Sequence, residues 1–121
     1  MSRNRQSIGV RGELEAERYL RALGYRLVAR NVRYRVGELD LVMVDGADLV
    51  FVEVRTRRSC RAGIKAQDTV TVSKQRRLLL AARCFLADPR YERWPARFDV
   101  VGIDAETLDV TAHIRAAFEA G

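Results

Sequence analysis

The chain has 121 residues, 48% hydrophobic and 31% charged, with a net charge of +6. That is enough for one domain with a real core and too little for two, and no apolar run reaches the length of a membrane span. The basic start MSRNRQSIGVRGE lacks the apolar stretch of a secretory signal, and the two cysteines make neither a zinc site nor a disulfide framework, so a cytoplasmic protein is expected.

Residues 1–6 are polar and are expected to fray. From Ser7 to Leu23 the spacing is helical: Ala16, Tyr19, Leu20 and Leu23 share a face, and Gly24 is a stop. Glu13 lies roughly 20° around the wheel from Leu20, with Glu15 and Glu17 further outside, so Glu13 is the acid expected nearest the sheet. Tyr25–Tyr34 reads as a first strand. The next stretch, GELDLVMVDGADLVFVEVRTR over Gly37–Arg57, reads as two strands joined at Asp45-Gly46-Ala47-Asp48, because Asp-Gly between apolar runs favours a tight hairpin.

Counting back from an Asp45–Asp48 pair puts Asp40 opposite Glu53 and Glu38 opposite Arg55. Directly opposed residues project to one side of a sheet, so two carboxylates are expected to meet there beside a guanidinium. Like charges at that spacing repel, and one acid stays protonated unless a cation sits between them.

Residues 57–68 show no period and are expected to form a mobile basic loop. Ser73 is the expected N-cap of a second helix reaching Ala87, with Leu78, Leu79, Ala82, Phe85 and Leu86 inward. A strand at Arg97–Asp104 follows, then a last strand at Thr107–Ile114 and a short helical tail. This order predicts a single α/β domain, residues 1–121, with helices packed on a mixed sheet.

Charge is unevenly spread. Arg55 to Arg83 holds nine bases against Asp68, whereas Phe98 to Gly121 holds five acids against Arg115. One basic side facing a polyanion is the natural inference. Arg57, Arg58, Arg61 and Lys74 are the expected phosphate contacts, and their plainer reading is a solvated surface.

Magnesium takes oxygen ligands, commonly one or two carboxylates with waters and a phosphate oxygen. Asp40 and Glu53 would supply that pair, Arg55 would sit by the scissile phosphate, and Glu13 could add a third carboxylate. The alternatives are strand acids balanced by arginines and, for Glu13, a residue favoured at the positive end of a helix. Asp99, between Phe98 and Val100, is expected to be structural, and no role is assigned to His113.

These residues carry a resemblance. An acid on a first helix, then Asp, then Glu-x-Lys on neighbouring strands is the pattern of the PD-(D/E)XK nuclease superfamily. Within it the chain resembles the small bacterial YraN-like proteins, which are similar to archaeal Holliday junction resolvases. The matching segments are Gly9-x-x-Gly12-Glu13-x-x-Ala16-x-x-Tyr19-Leu20, Gly24-Tyr25, Arg30-Asn31, Gly37-Glu38-Leu39-Asp40-Leu41, Phe51-Val52-Glu53-Val54-Arg55-x-Arg57, Lys74 and Arg97-Phe98-Asp99-Val100-Val101.

The resemblance implies a restriction-endonuclease-like fold, a central mixed sheet flanked by helices. It also implies Mg²⁺-dependent (or Mn²⁺-dependent) cleavage of branched or structured DNA in repair or recombination. Glu13, Asp40 and Glu53 would be the metal-site acids, with the Val54 carbonyl a further ligand. Arg55 stands where the superfamily has its catalytic lysine; Lys65 or Lys74 could reach in instead. A homodimer would suit symmetric cutting of a junction. The rivals are a nucleic-acid-binding module that kept the fold without catalysis, and a scaffold whose basic face meets an acidic protein partner.

Overall fold

The computed structural model describes residues 7–58 and 70–118. The expected fraying of residues 1–6 and most of the basic loop, Arg61 and Lys65 included, lie outside the described residues. The elements are α1 (Ile8–Ala22), β1 (Arg26–Tyr34), β2 (Gly37–Asp45), β3 (Asp48–Arg57), α2 (Val72–Leu86), β4 (Ala96–Asp104) and β5 (Val110–Phe118). No described helix is long and apolar enough to cross a membrane.

The strands form one sheet in the order β1-β2-β3-β4-β5, antiparallel except for the parallel β3–β4 pair that α2 connects. The helices take opposite faces. Ala16 and Leu20 of α1 pack with Leu41, Met43, Val50, Val52, Val101 and Ile103. Leu78, Ala81 and Ala82 of α2 pack with Val42, Leu49, Phe51, Phe98 and Val100. Both faces of the central strands are therefore apolar, which is why β3 reads as a nearly continuous hydrophobic run. This is the restriction-endonuclease-like arrangement, a mixed sheet flanked by helices.

The start of α2 and both ends of the last strand, which begins at Val110 and not Thr107, differ most from expectation. Thr71, not Ser73, caps α2: its hydroxyl accepts from the Lys74 N–H at 3.1 Å. Capping at Thr71 leaves Val70 just outside the helix, where it is buried, and the Gln75 amide donates to its carbonyl. The last strand runs on to Phe118, so residues 115–118 are strand where a helical tail was expected. Phe118 stacks on Phe98, with ring centroids 4.8 Å apart, and that contact outweighs the helix propensity of the alanines.

Two glycines let the helices close on the sheet. A Cβ on Gly12 would run into the Thr56 hydroxyl of β3, and one on Gly37 would lie 2.5 Å from the Arg77 carbonyl oxygen of α2. Gly12→Ala should therefore lift the start of α1 and cost about 1–3 kcal/mol in urea unfolding. An unchanged midpoint would show that Thr56 simply rotates away.

The β2–β3 ladder ends early. Its last rung is Leu41↔Val52, yet β2 continues along β1 to Gly37 and β3 continues along β4 to Arg57. The two central strands thus fork. The alternation of β2 also breaks there, since Leu41 packs on the α1 side and Leu39 on the α2 side.

Candidate active site

Asp40 and Glu53 flank the mouth of the fork, one residue beyond the last rung. The register counted from the turn holds through Leu41↔Val52 but does not continue as backbone pairing. Instead the Asp40 carboxylate replaces a strand partner, accepting the Val54 N–H at 2.9 Å. The counted Glu38–Arg55 pair does not form as a rung. Glu38 stands opposite Arg33 of β1, and their charges are 3.7 Å apart.

Glu53 is buried, 4% exposed, on the face that α2 covers. Two cations reach its Oε2: the Arg55 guanidinium at 3.2 Å and the Lys74 ammonium at 3.6 Å. Asp40 is pushed up from 3.8 to about 8, first by burial and then by the Glu53 carboxylate, against the pull of the Val54 N–H. The bare pair therefore holds a proton at neutral pH.

Glu13 approaches from α1. Burial, followed by the charge of Glu38, raises its carboxyl above the ordinary range, and a hydrogen bond with the Asn31 side chain opposes the rise. Both Asp40 and Glu53 are near enough to interact with it electrostatically. Among the described residues, however, no three His, Cys, Asp or Glu side chains gather into a metal cage. The fork is a two-carboxylate site with Glu13 beside it. Glu17, expected to lie further from the sheet than Glu13, is the more buried acid, 6% exposed, and takes a two-pronged bond from Arg30 at 2.6 and 2.9 Å.

Asn31, part of the Arg30-Asn31 segment, has no role assigned from sequence. It falls between the rungs Arg30↔Leu41 and Val32↔Leu39, level with Asp40, and has φ +50. Asparagine tolerates this left-handed conformation better than most residues, and here its amide reaches Glu13. An Asn in the middle of an otherwise ordinary strand was the available signal.

The predicted phosphate contacts are scattered. Arg57 and Arg58 are exposed at the end of β3; Arg57 donates to the Thr56 carbonyl, and Arg58 lies 4.0 Å from Glu106. Lys74 belongs to the fork itself. Beside it opens a cleft of about 340 Å³ between the β1–β2 turn and α2, lined by Arg33, Arg35, Glu38, Lys74 and Arg77 among others.

A second polar cluster lies toward the hairpin end of the sheet. Asp99 is fully buried. Its carboxylate accepts from Tyr25 Oη (3.1 Å), His113 Nε2 (2.9 Å), Arg97 Nε (3.0 Å) and the Ala116 N–H (3.1 Å). Arg97 also bonds Asp45 and Asp48 at the hairpin turn, and Tyr19 completes the far side of the His113 ring. Every Asp99 oxygen is satisfied, which fits the structural role expected of it. His113, given no role from sequence, is one of its donors.

The sequence profile described as "Uncharacterised protein family UPF0102" matches residues 12–103. A UPF0102 protein of Symbiobacterium thermophilum is 50% identical, over 80% of this chain and 81% of its own length. Another, from Herminiimonas arsenicoxydans, is 51% identical over 87% of this chain and 83% of its own. A third, from Chlorobaculum tepidum, is 41% identical over 96% and 95%.

Proposed function

For a chain that belongs to the uncharacterised protein family UPF0102, the small bacterial group its motifs resemble, we propose divalent-ion-dependent endonucleolytic cleavage of DNA, with branched or structured DNA as the substrate class. The observation that carries the reading is the fork: Asp40 tied to the Val54 N–H, Glu53 buried beside it, and Arg55 and Lys74 at its rim. The donors are all oxygens, and Mg²⁺ or Mn²⁺ commonly needs only one or two carboxylates, so the pair suits such an ion without a third acid.

Asp40 and Glu53 would hold the ion, with the Val54 carbonyl available as a further donor. When bound, the ion supplies Lewis acidity at the phosphoryl group and a more acidic water. Asp40 would give up its proton to hold the ion, and the Val54 N–H keeps its carboxylate aimed. Arg55 and Lys74 put positive charge where negative charge builds on the phosphoryl oxygens. An arginine guanidinium keeps its proton at any working pH, so Arg55 can stabilise charge but cannot accept a proton from water. That proton passes to a carboxylate, to substrate phosphate or to solvent.

The test is a cleavage panel of linear, nicked, forked and four-way DNA with Mg²⁺, Mn²⁺ or EDTA. Ion-dependent cutting that favours branched substrates supports the reading; no cutting of any substrate removes it. Arg55 also favours a second reading, a binding module that kept the fold without catalysis. Arg55→Lys separates the two. In an enzyme, Arg55→Lys should cut as well as the natural protein or better, and Arg55→Ala should lose most activity. An inert natural protein revived by Arg55→Lys favours the binding module.

A further inference from the structure

We propose that the cleft between the β1–β2 turn and α2 is a subsite for the sugar–phosphate backbone of one nucleic-acid strand, feeding that strand to the acid pair. Its role in cleavage rests on the function proposed above; its binding role does not. Four of the lining residues are basic, Arg33, Arg35, Lys74 and Arg77, against the single acid Glu38. Arg33 is partly answered by Glu38 at 3.7 Å. Arg35 and Arg77 enter no ion pair with a described acid, and both are exposed. Their charge is therefore available to phosphate, which is held by such contacts without base readout.

The cleft's position gives it meaning. Lys74 lines it and also stands 3.6 Å from Glu53, so it is the shared wall between cleft and acids. A backbone lying along Arg35 and Arg77 reaches the acid pair past Lys74. A cleft of about 340 Å³ is the size of a small-ligand site, not of a duplex whose major groove alone is roughly 12 Å wide. Gly37 sets its floor, since only a residue without a Cβ lets α2 approach so closely. The predicted contacts Arg57 and Arg58 lie at the exposed end of β3 and are not among the residues lining this cleft.

The test is fluorescence anisotropy of a labelled single-stranded oligonucleotide with the full chain in EDTA, over a salt series. The double variant Arg35→Gln with Arg77→Gln should weaken binding about tenfold or more, and the log–log salt slope should shrink by about 1.4, roughly 0.7 for each lost contact to a single strand. Arg57→Gln with Arg58→Gln should change both much less. Circular dichroism checks folding. If the double variant fails to fold, Arg35→Glu alone, at an exposed turn, should give the same loss. Unchanged affinity and slope in the folded variants overturn the subsite, as does a natural protein that binds no oligonucleotide. Mn²⁺ calorimetry and cleavage, measured separately, keep the two readings apart. If ion binding and cutting persist while Arg35 and Arg77 prove irrelevant, only the subsite falls. If binding depends on these arginines but nothing is cut, the subsite stands and the nuclease reading falls.

Discussion

Asp40→Asn should abolish divalent-ion binding and slow cleavage by roughly a hundredfold to a thousandfold, while oligonucleotide binding survives. The substitution keeps the shape of the side chain and an oxygen for the Val54 N–H, but removes the charge an ion needs. Glu53→Gln should behave similarly, with weaker oligonucleotide binding excluded as the cause by anisotropy. Retained Mn²⁺ binding by calorimetry in both variants would move the ion site elsewhere. The same residue has a pH signature. Folding raises the Asp40 carboxyl from 3.8 to about 8, so the folded protein binds a proton that the unfolded chain has released across that interval. Its contribution to stability is fully present below about 4 and is lost as pH rises towards 8. In EDTA, the natural protein should lose stability relative to Asp40→Asn over that range. Ion affinity should rise over the same range, because the proton must leave first.

Asp99→Ala should cost about 3–5 kcal/mol, the penalty for removing one partner of a buried ionic network. The variant leaves Arg97 Nε, Tyr25, His113 and the Ala116 N–H without their acceptor, although Arg97 keeps Asp45 and Asp48. Burial alone would raise the Asp99 carboxyl, but hydrogen bonds from His113, Arg97 and Ala116 outweigh it and bring it down to about 2. A carboxyl lowered by folding stabilises above its unfolded value and loses that contribution as pH falls from about 4 towards 2. Urea unfolding across pH reads both effects. A loss below 1 kcal/mol would mean that the network breaks even against its own desolvation. The folded fraction of the variant should still cut DNA, since the Asp99 carboxylate is held by Tyr25, Arg97, His113 and Ala116 and by none of the fork residues.

The parts readable from sequence were those fixed by local chemistry. Asp45-Gly46 set the turn, the turn set the register, and the register brought Asp40 and Glu53 to neighbouring strands. The reading lapsed where tertiary contacts decide. Counting could not show that the ladder stops at Leu41, so Glu38 was paired with Arg55 when it faces Arg33. Thr71 and Ser73 are both good caps, and only the burial of Val70 selects between them. Helical phase placed Glu17 outside Glu13, but phase carries no knowledge of Arg30 arriving on β1. Apart from Arg97, two residues away, the donors around Asp99 come from Tyr25, just before β1, and from β5, and no local pattern joins residues so far apart in sequence.

The Arg97 cluster ties the hairpin turn to β4, and Arg115 of β5 adds a bond to Asp45 at 2.6 Å. At the opposite end the two middle strands part company. The β2–β3 pair is thus clamped at its turn, while beyond the fork β2 keeps only β1 and β3 only β4 as a strand neighbour. Opening energies within one protein span a wide range, set by how well each segment is tied down. Amide hydrogens near Asp45, Asp48 and Asp99 should exchange slowly, and those of Arg55 through Arg57, which keep β4 as a neighbour but have no β2 rung, faster. Stiffness then grades along a single strand, β3, from a heel tied on both edges to a tip tied only to β4.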